Sequence, residues 1–216
     1  MVKIQIKSIF GDVLFEYEKE NNTIKDTLEK AIISGANLSW ANLSGANISG
    51  VNLSNSNLYR ANLYGVNLSN SNLYKANLSS ANLYSAIISG ANISWANLSN
   101  ACLYKANISW ANLSNASLYG ANLSNASLYK ANLSSANLSN ANISWAELND
   151  KKIISISRIG SRNGMTVYDF DNDIIWCGCF NGTLESFEKK VNETHKNNTQ
   201  YLKEYLGFIN YLKSLK

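Results

Sequence analysis

Cys177 and Cys179 stand two residues apart in the stretch WCGCF, and His195, the one histidine of the chain, falls in line with an apolar helical stripe begun by Leu184. Thiols on one strand face together with an imidazole are the residue types that bind zinc or carry thiol chemistry. Here they supply three ligands at most, and Cys-x-Cys is not a usual zinc spacing. The three are therefore read as reduced core thiols and a histidine satisfied near a helix C-terminus. Hydroxyls are the other abundant reactive group. Serine recurs throughout residues 31–150, yet that stretch holds no histidine, and its two carboxylates, Glu147 and Asp150, come only at its end. A serine without an adjacent base is a weak nucleophile. No Walker loop, zinc spacing or dinucleotide fingerprint occurs elsewhere. The expectation is a protein that is not an enzyme, with no catalytic, cofactor-binding or metal-binding residues.

What positions the serines is a period of five. From Ala31 to Asp150 the chain divides into 24 consecutive pentads without insertion, as in ANLSWANLSGANISGVNLSN at 36–55. The first position is Ala except at Val51, Ser56, Val66 and Ser71, the second is Asn in 18 of 24, and the third is always Leu or Ile. The fourth is Ser or Tyr except at Asn149, and the fifth varies. On an α-helix the central Leu and Ile would scatter around the axis, and in a long strand an odd period would alternate faces. Burying all of them together requires a short straight side and a bend, repeated: a stacked coil, or β-solenoid. The third-position Leu or Ile and the small first-position residue then point inward, and the other three positions point out. The absence of proline leaves every backbone N–H after the first residue free to join such pairing.

The motif A-N-[LI]-x-x, as in ANLSS at 76–80 and ANISW at 106–110, resembles the pentapeptide repeat family. The resemblance implies a right-handed quadrilateral β-helix with four pentads per coil, hence six coils from 24 pentads. Local duplications at a 15-residue spacing, GVNLSNSNLYR at 50–60 and GVNLSNSNLYK at 65–75, would by themselves suit three sides. With four sides, Tyr64, Tyr84 and Tyr104 share one column, and Trp40, Trp95, Trp110 and Trp145 fall on four different faces. The family's best-understood members resemble duplex DNA in size and charge and bind DNA gyrase by mimicking it, which needs rows of Asp or Glu in place of phosphates. The second position here is Asn, with Ile32, Ile87, Cys102, Ser117, Ser127 and Glu147 as exceptions. Four cations, Arg60, Lys75, Lys105 and Lys130, face two carboxylates across 31–150. Such a surface argues against the alternative function, a nucleic-acid mimic acting on an enzyme such as gyrase.

The flanks differ in composition. VKIQIKSIFGDVLFEYE reads as a β-hairpin turning at Gly11-Asp12, and the following stretch reads as a helix capped by Asn22 or Thr23, with Asp26 three residues after Thr23. Its stripe of Ile24, Leu28, Ala31 and Ile32 suits packing on the first coil, and draws the first pentad into the helix. After Asp150, three strands and two helices are expected. The tail GSRNGMTVYDF…CGCFNGTLESFE resembles a small module that follows pentapeptide repeats in bacterial and phage proteins. Apolar residues span over half the circumference of the last helix. It is either sandwiched between the sheet and the other helix or in contact with another chain. The resemblance implies end-to-end dimers through a C-terminal helix.

The fold expected is mainly β, a right-handed quadrilateral β-helix with small α/β caps: 1–35 an N-terminal hairpin and helix, 36–150 the repeat, 151–216 a three-strand, two-helix α+β module. The function expected is a structural or protein-binding scaffold with recognition mainly by the C-terminal module. Its interaction surface is expected at Tyr64, Tyr84, Tyr104, Tyr201, Tyr205, Phe208 and Leu212. A protein partner and a homodimer through the last helix are expected, without membrane or direct nucleic-acid binding. The start MVKIQIKSIFGD has no apolar leader core, and the odd count of three cysteines has no disulfide-framework spacing, so a reduced, cytoplasmic setting is expected.

Overall fold

The computed structural model describes residues 1–148, 151–157, 165–170, 172–177 and 180–214. Strands β1 (Val2–Lys7) and β2 (Val13–Lys19) form an antiparallel hairpin with an irregularity between Ile6 and Lys7. Helix α1 (Ile24–Ile33) follows. Thr23 is its N-cap: the hydroxyl accepts from Asp26 N, and the Asp26 carboxylate accepts from Thr23 N, a reciprocal box that satisfies two otherwise orphaned donors. The helix takes up Ala31, Ile32 and Ile33, so the coiled path begins only after the first pentad. The end of β1 and the residues just after it bond directly to the first coil, with Asn42 N donating to Lys7 O and Ile9 N to Trp40 O, both at 2.8 Å.

From Asn42 to Glu147 each second-position residue pairs in parallel with the residue twenty positions on, from Asn42↔Asn62 to Ser127↔Glu147. Twenty residues are four pentads, so the coil has four sides, and the 15-residue duplications do not set its geometry. Counted by these bridges, two walls are six residues deep and two, beginning at Asn52 and Asn57, are five. At a strand spacing of about 4.8 Å, six layers stack to roughly 24 Å. Third-position Leu and Ile and first-position Ala, Val or Ser fill the interior; Leu53, Leu58, Ala61, Leu63 and Val66 are all fully buried.

The local reason for each pentad position is visible in its hydrogen bonds. The Asn Oδ1 accepts the backbone N–H two residues on, as Asn37 does from Ser39 at 3.0 Å and Asn77 from Ser79 at 3.2 Å, a side-chain mimic of a turn. The Asn Nδ2 donates to the Asn one coil back, in runs such as Asn77 to Asn57 to Asn37, at 3.1 and 2.9 Å. Each corner is a β-turn closed by a bond such as Ala61 N to Leu58 O at 3.0 Å, and its fifth-position residue is left-handed. Gly and Asn suit that conformation; Trp40, Trp95, Trp110 and Trp145 adopt it at φ 64, 62, 63 and 61.

The tail is a five-stranded antiparallel sheet in the order β3 (Ala146–Leu148), β4 (Lys151–Ser157), β5 (Met165–Asp169), β6 (Ile174–Cys177), β7 (Phe180–Gly182), followed by α2 (Leu184–His195) and α3 (Thr199–Ser214). Three strands were expected, and two features correct this. The first three residues of the last pentad, Ala146–Leu148, form β3, with Glu147 paired in parallel with Ser127 below and the strand antiparallel with β4 above, so rod wall and sheet are continuous. The third expected strand divides into β6 and β7, which pair with each other. Strand β5 alternates faces: Val167 packs against the rod core, while Tyr168 joins a second core with Ile175, Leu184, Phe187, Val191, Tyr205, Phe208, Ile209 and Leu212. No helix among the described residues is long and apolar enough to cross a membrane.

Candidate functional site

The rod surface is built of columns. Tyr64 and Tyr84 stack with ring centroids 5.2 Å apart at 12°, and Tyr84 meets Tyr104 at 5.3 Å and 40°. They share a column because the fourth position of each recurs after one coil, and Lys105 Nζ lies 5.4 Å from the last ring. Two corners carry a second pattern, an indole covered by a cation from the next coil. The Arg60 guanidinium lies 4.8 Å from the Trp40 ring and 5.0 Å from Tyr59. Lys130 Nζ lies 4.3 Å from Trp110 and 5.1 Å from Tyr129. Cation over π-face is worth about 0.5–1 kcal/mol at an exposed site. These cation–aromatic groupings were not anticipated from the sequence; a Trp followed twenty residues later by Arg or Lys is the signal that could have found them.

Four expected surface residues lie in the tail, and three of them are not at the surface. Tyr205, Phe208 and Leu212 are 3%, 5% and 0% exposed in the second core. The apolar stripe of α3 is thus covered by the sheet and α2, and only its flank, with Tyr201 half-buried and Tyr211 46% exposed, faces outward. Cys177 is buried, accepts from the Thr166 hydroxyl at 3.2 Å and approaches the Tyr205 hydroxyl at 4.0 Å. His195 stacks on Tyr205 at 5.3 Å and meets Tyr201 edge-on at 6.0 Å. Cys179 lies outside the described residues. Among those described, no group of three or more His, Cys, Asp or Glu is placed to hold a metal ion.

Where the rod joins the tail, a cavity of about 370 Å³ is lined by Asn125, Ser127, Trp145 and Glu147. Trp145 stacks on Phe170 of the tail at 5.8 Å and 16°. Ser127 also shares a hydrogen bond with Ser109 at 3.0 Å.

Four pentads to the coil, small and branched apolar residues inside and an Asn ladder outside define a β-helical repeat protein. The sequence matches Pentapeptide repeats (8 copies) over residues 27–60, 61–100, 76–115 and 111–150, more than half of the chain, and the protein belongs to that family. Among solved structures, a pentapeptide repeat protein (Rfr23) from the cyanobacterium Cyanothece 51142 is 37% identical, over 50% of this chain and 86% of that one, with a TM-score of 0.49. HetL, a pentapeptide repeat protein involved in heterocyst differentiation regulation from the cyanobacterium Nostoc sp. strain PCC 7120, is 27% identical over 50% and 73%, with a TM-score of 0.21. QnrB1, a plasmid-mediated fluoroquinolone resistance protein, is 22% identical over 50% and 71%, with a TM-score of 0.27. No match was found among curated proteins.

Proposed function

We propose that this protein is a non-enzymatic, protein-binding scaffold, a right-handed quadrilateral rod closed at one end by the hairpin and α1 and at the other by the tail. The observation that carries this reading is the rod wall itself. Its polar side chains bond to one another in columns, and its aromatic column, Tyr64 exposed with Tyr84 and Tyr104 half-buried, is prestacked. Prestacked rings lose little side-chain entropy on docking, so they suit recognition of a protein surface. In the tail the outward residues are Trp176, 39% exposed, and Tyr211, and these replace Tyr205, Phe208 and Leu212 as the contact residues. A homodimer through the outer flank of α3 and a cytoplasmic setting belong to the same reading. Mimicry of nucleic acid lacks support from charge, since Glu147 is the sole second-position carboxylate of the repeat.

The test is affinity capture from host lysate with three full-length proteins: the natural sequence, Tyr64→Ser/Tyr84→Ser/Tyr104→Ser, and Trp176→Ser/Tyr211→Ser. A partner lost only with the tail variant would assign recognition to the C-terminal module, and one lost only with the triple variant would assign it to the rod. A partner retained by both variants overturns both surfaces.

A further inference from the structure

We propose that the cavity on the last coil, where β3 begins, binds an alkylammonium group. The rod supplies the pattern. At Trp40 and Trp110 the corner indole is covered by a cation from the next coil, Arg60 and Lys130. Trp145 occupies the same fifth position in the last coil, where no further coil follows. One of its contacts is Phe170, and its ring lines the cavity with 38% of the residue exposed. No cation of the described chain lies over it.

The same cavity carries the complement of a cation. Glu147 lines it, two residues beyond Trp145 on β3, and its carboxylate has no ion-pair or hydrogen-bond partner among the described residues. Asn125, one coil below Trp145, adds an amide. An indole, an amide and a carboxylate with no partner among the described residues, in a hollow of about 370 Å³, fit an organic cation by chemistry and by size. Trp is the strongest aromatic partner for such a group, and the carboxylate adds an ion pair. The pairing of Glu147 with both Ser127 and Lys152 through its backbone fixes the strand that bears the carboxylate. The ammonium group belongs either to a free polyamine or to a lysine side chain of another protein. The site stands independently of the protein-binding surfaces above.

The experiment follows indole N–H signals by NMR in the full chain, with Trp145 assigned through Trp145→Phe. Tetramethylammonium chloride, spermidine and Nα-acetyl-lysine methylamide are titrated at constant ionic strength, with tert-butanol as the neutral control. Saturable shifts of Trp145 with ammonium ligands, absent with the alcohol and about threefold weaker in Glu147→Gln, are expected. The indole of Trp95, 57% exposed with no neighbouring carboxylate on its wall, should not move. Tighter binding of spermidine assigns a free amine, and tighter binding of the lysine derivative assigns a protein lysine. Equal shifts at Trp95 and Trp145, an equal response to tert-butanol, or an unchanged affinity in Glu147→Gln overturns the proposal.

Discussion

A tryptophan at a left-handed corner is held against its backbone preference, because the Cβ crowds the following carbonyl at a cost of roughly 1–2 kcal/mol. Trp95, at φ 62 and 57% exposed, recovers little of that by burial. Replacing it with Asn, which suits the conformation, should leave stability unchanged within about 1 kcal/mol or raise it. Leu98, three residues on, is 1% exposed and surrounded by the ladder of its own kind. Leu98→Ala should cost about 2–5 kcal/mol, because the closely packed coil relaxes little around the hole. Chemical denaturation of the two variants measures the contrast, and equal losses would contradict the assignment of inside and outside.

At the scale of elements, the cap of α1 is the best-defined electrostatic feature. Asp26 accepts from the Lys19 ammonium, at 2.6 Å, and from Thr23, and these hold its carboxyl at about 2, below the usual carboxylate range. A depressed folded-state pKa stabilises above the unfolded value near 3.8 and is lost as pH falls through about 2. The carboxyl resonance of Asp26 should therefore titrate near 2, moving upward when Lys19 is replaced by Met. Thr23→Ala should cost about 1 kcal/mol by thermal unfolding, since the N-cap acceptor disappears. The cap was readable in advance because its chemistry is local, Thr then Asp three residues later. The tail was readable only in part. The stripe on α3 showed that Tyr205, Phe208 and Leu212 must be covered, but an amphipathic helix does not encode whether its cover comes from its own chain. Likewise β3 reads as one more pentad, AELND, and nothing in those five residues signals that the sheet starts there.

For the whole molecule the unit is the coil of twenty residues, with the pentad as its quarter. Deleting 71–90 removes one coil and joins Asn70 to Ala91 with every column preserved. Tyr64 should then stack on Tyr104, giving ring-to-ring nuclear Overhauser contacts between them. Deleting only 71–75 turns everything after it by one wall, and Tyr64 should lose contact with Tyr84. Hydrogen exchange should be slowest in the coils spanning 51–130, which have neighbours on both sides, and faster toward the ends. Uniform fast exchange there would contradict the stacked coil. This architecture was legible because each pentad repeats the same solution, whereas the joint pocket of Trp145 and Glu147 depends on two columns and a tail strand meeting in space.

The bonds that join coil to coil, such as Leu63 N to Asn82 O at 2.8 Å, run along the rod axis rather than across it. Tension applied between the hairpin and the tail therefore pulls on a few of them at a time, as a zip does, not on all of them together. Each coil that peels away frees twenty residues, on the order of 70 Å of slack. Pulled end to end, the rod should therefore lengthen in equal steps, one coil at a time, as a stack of extensible rings.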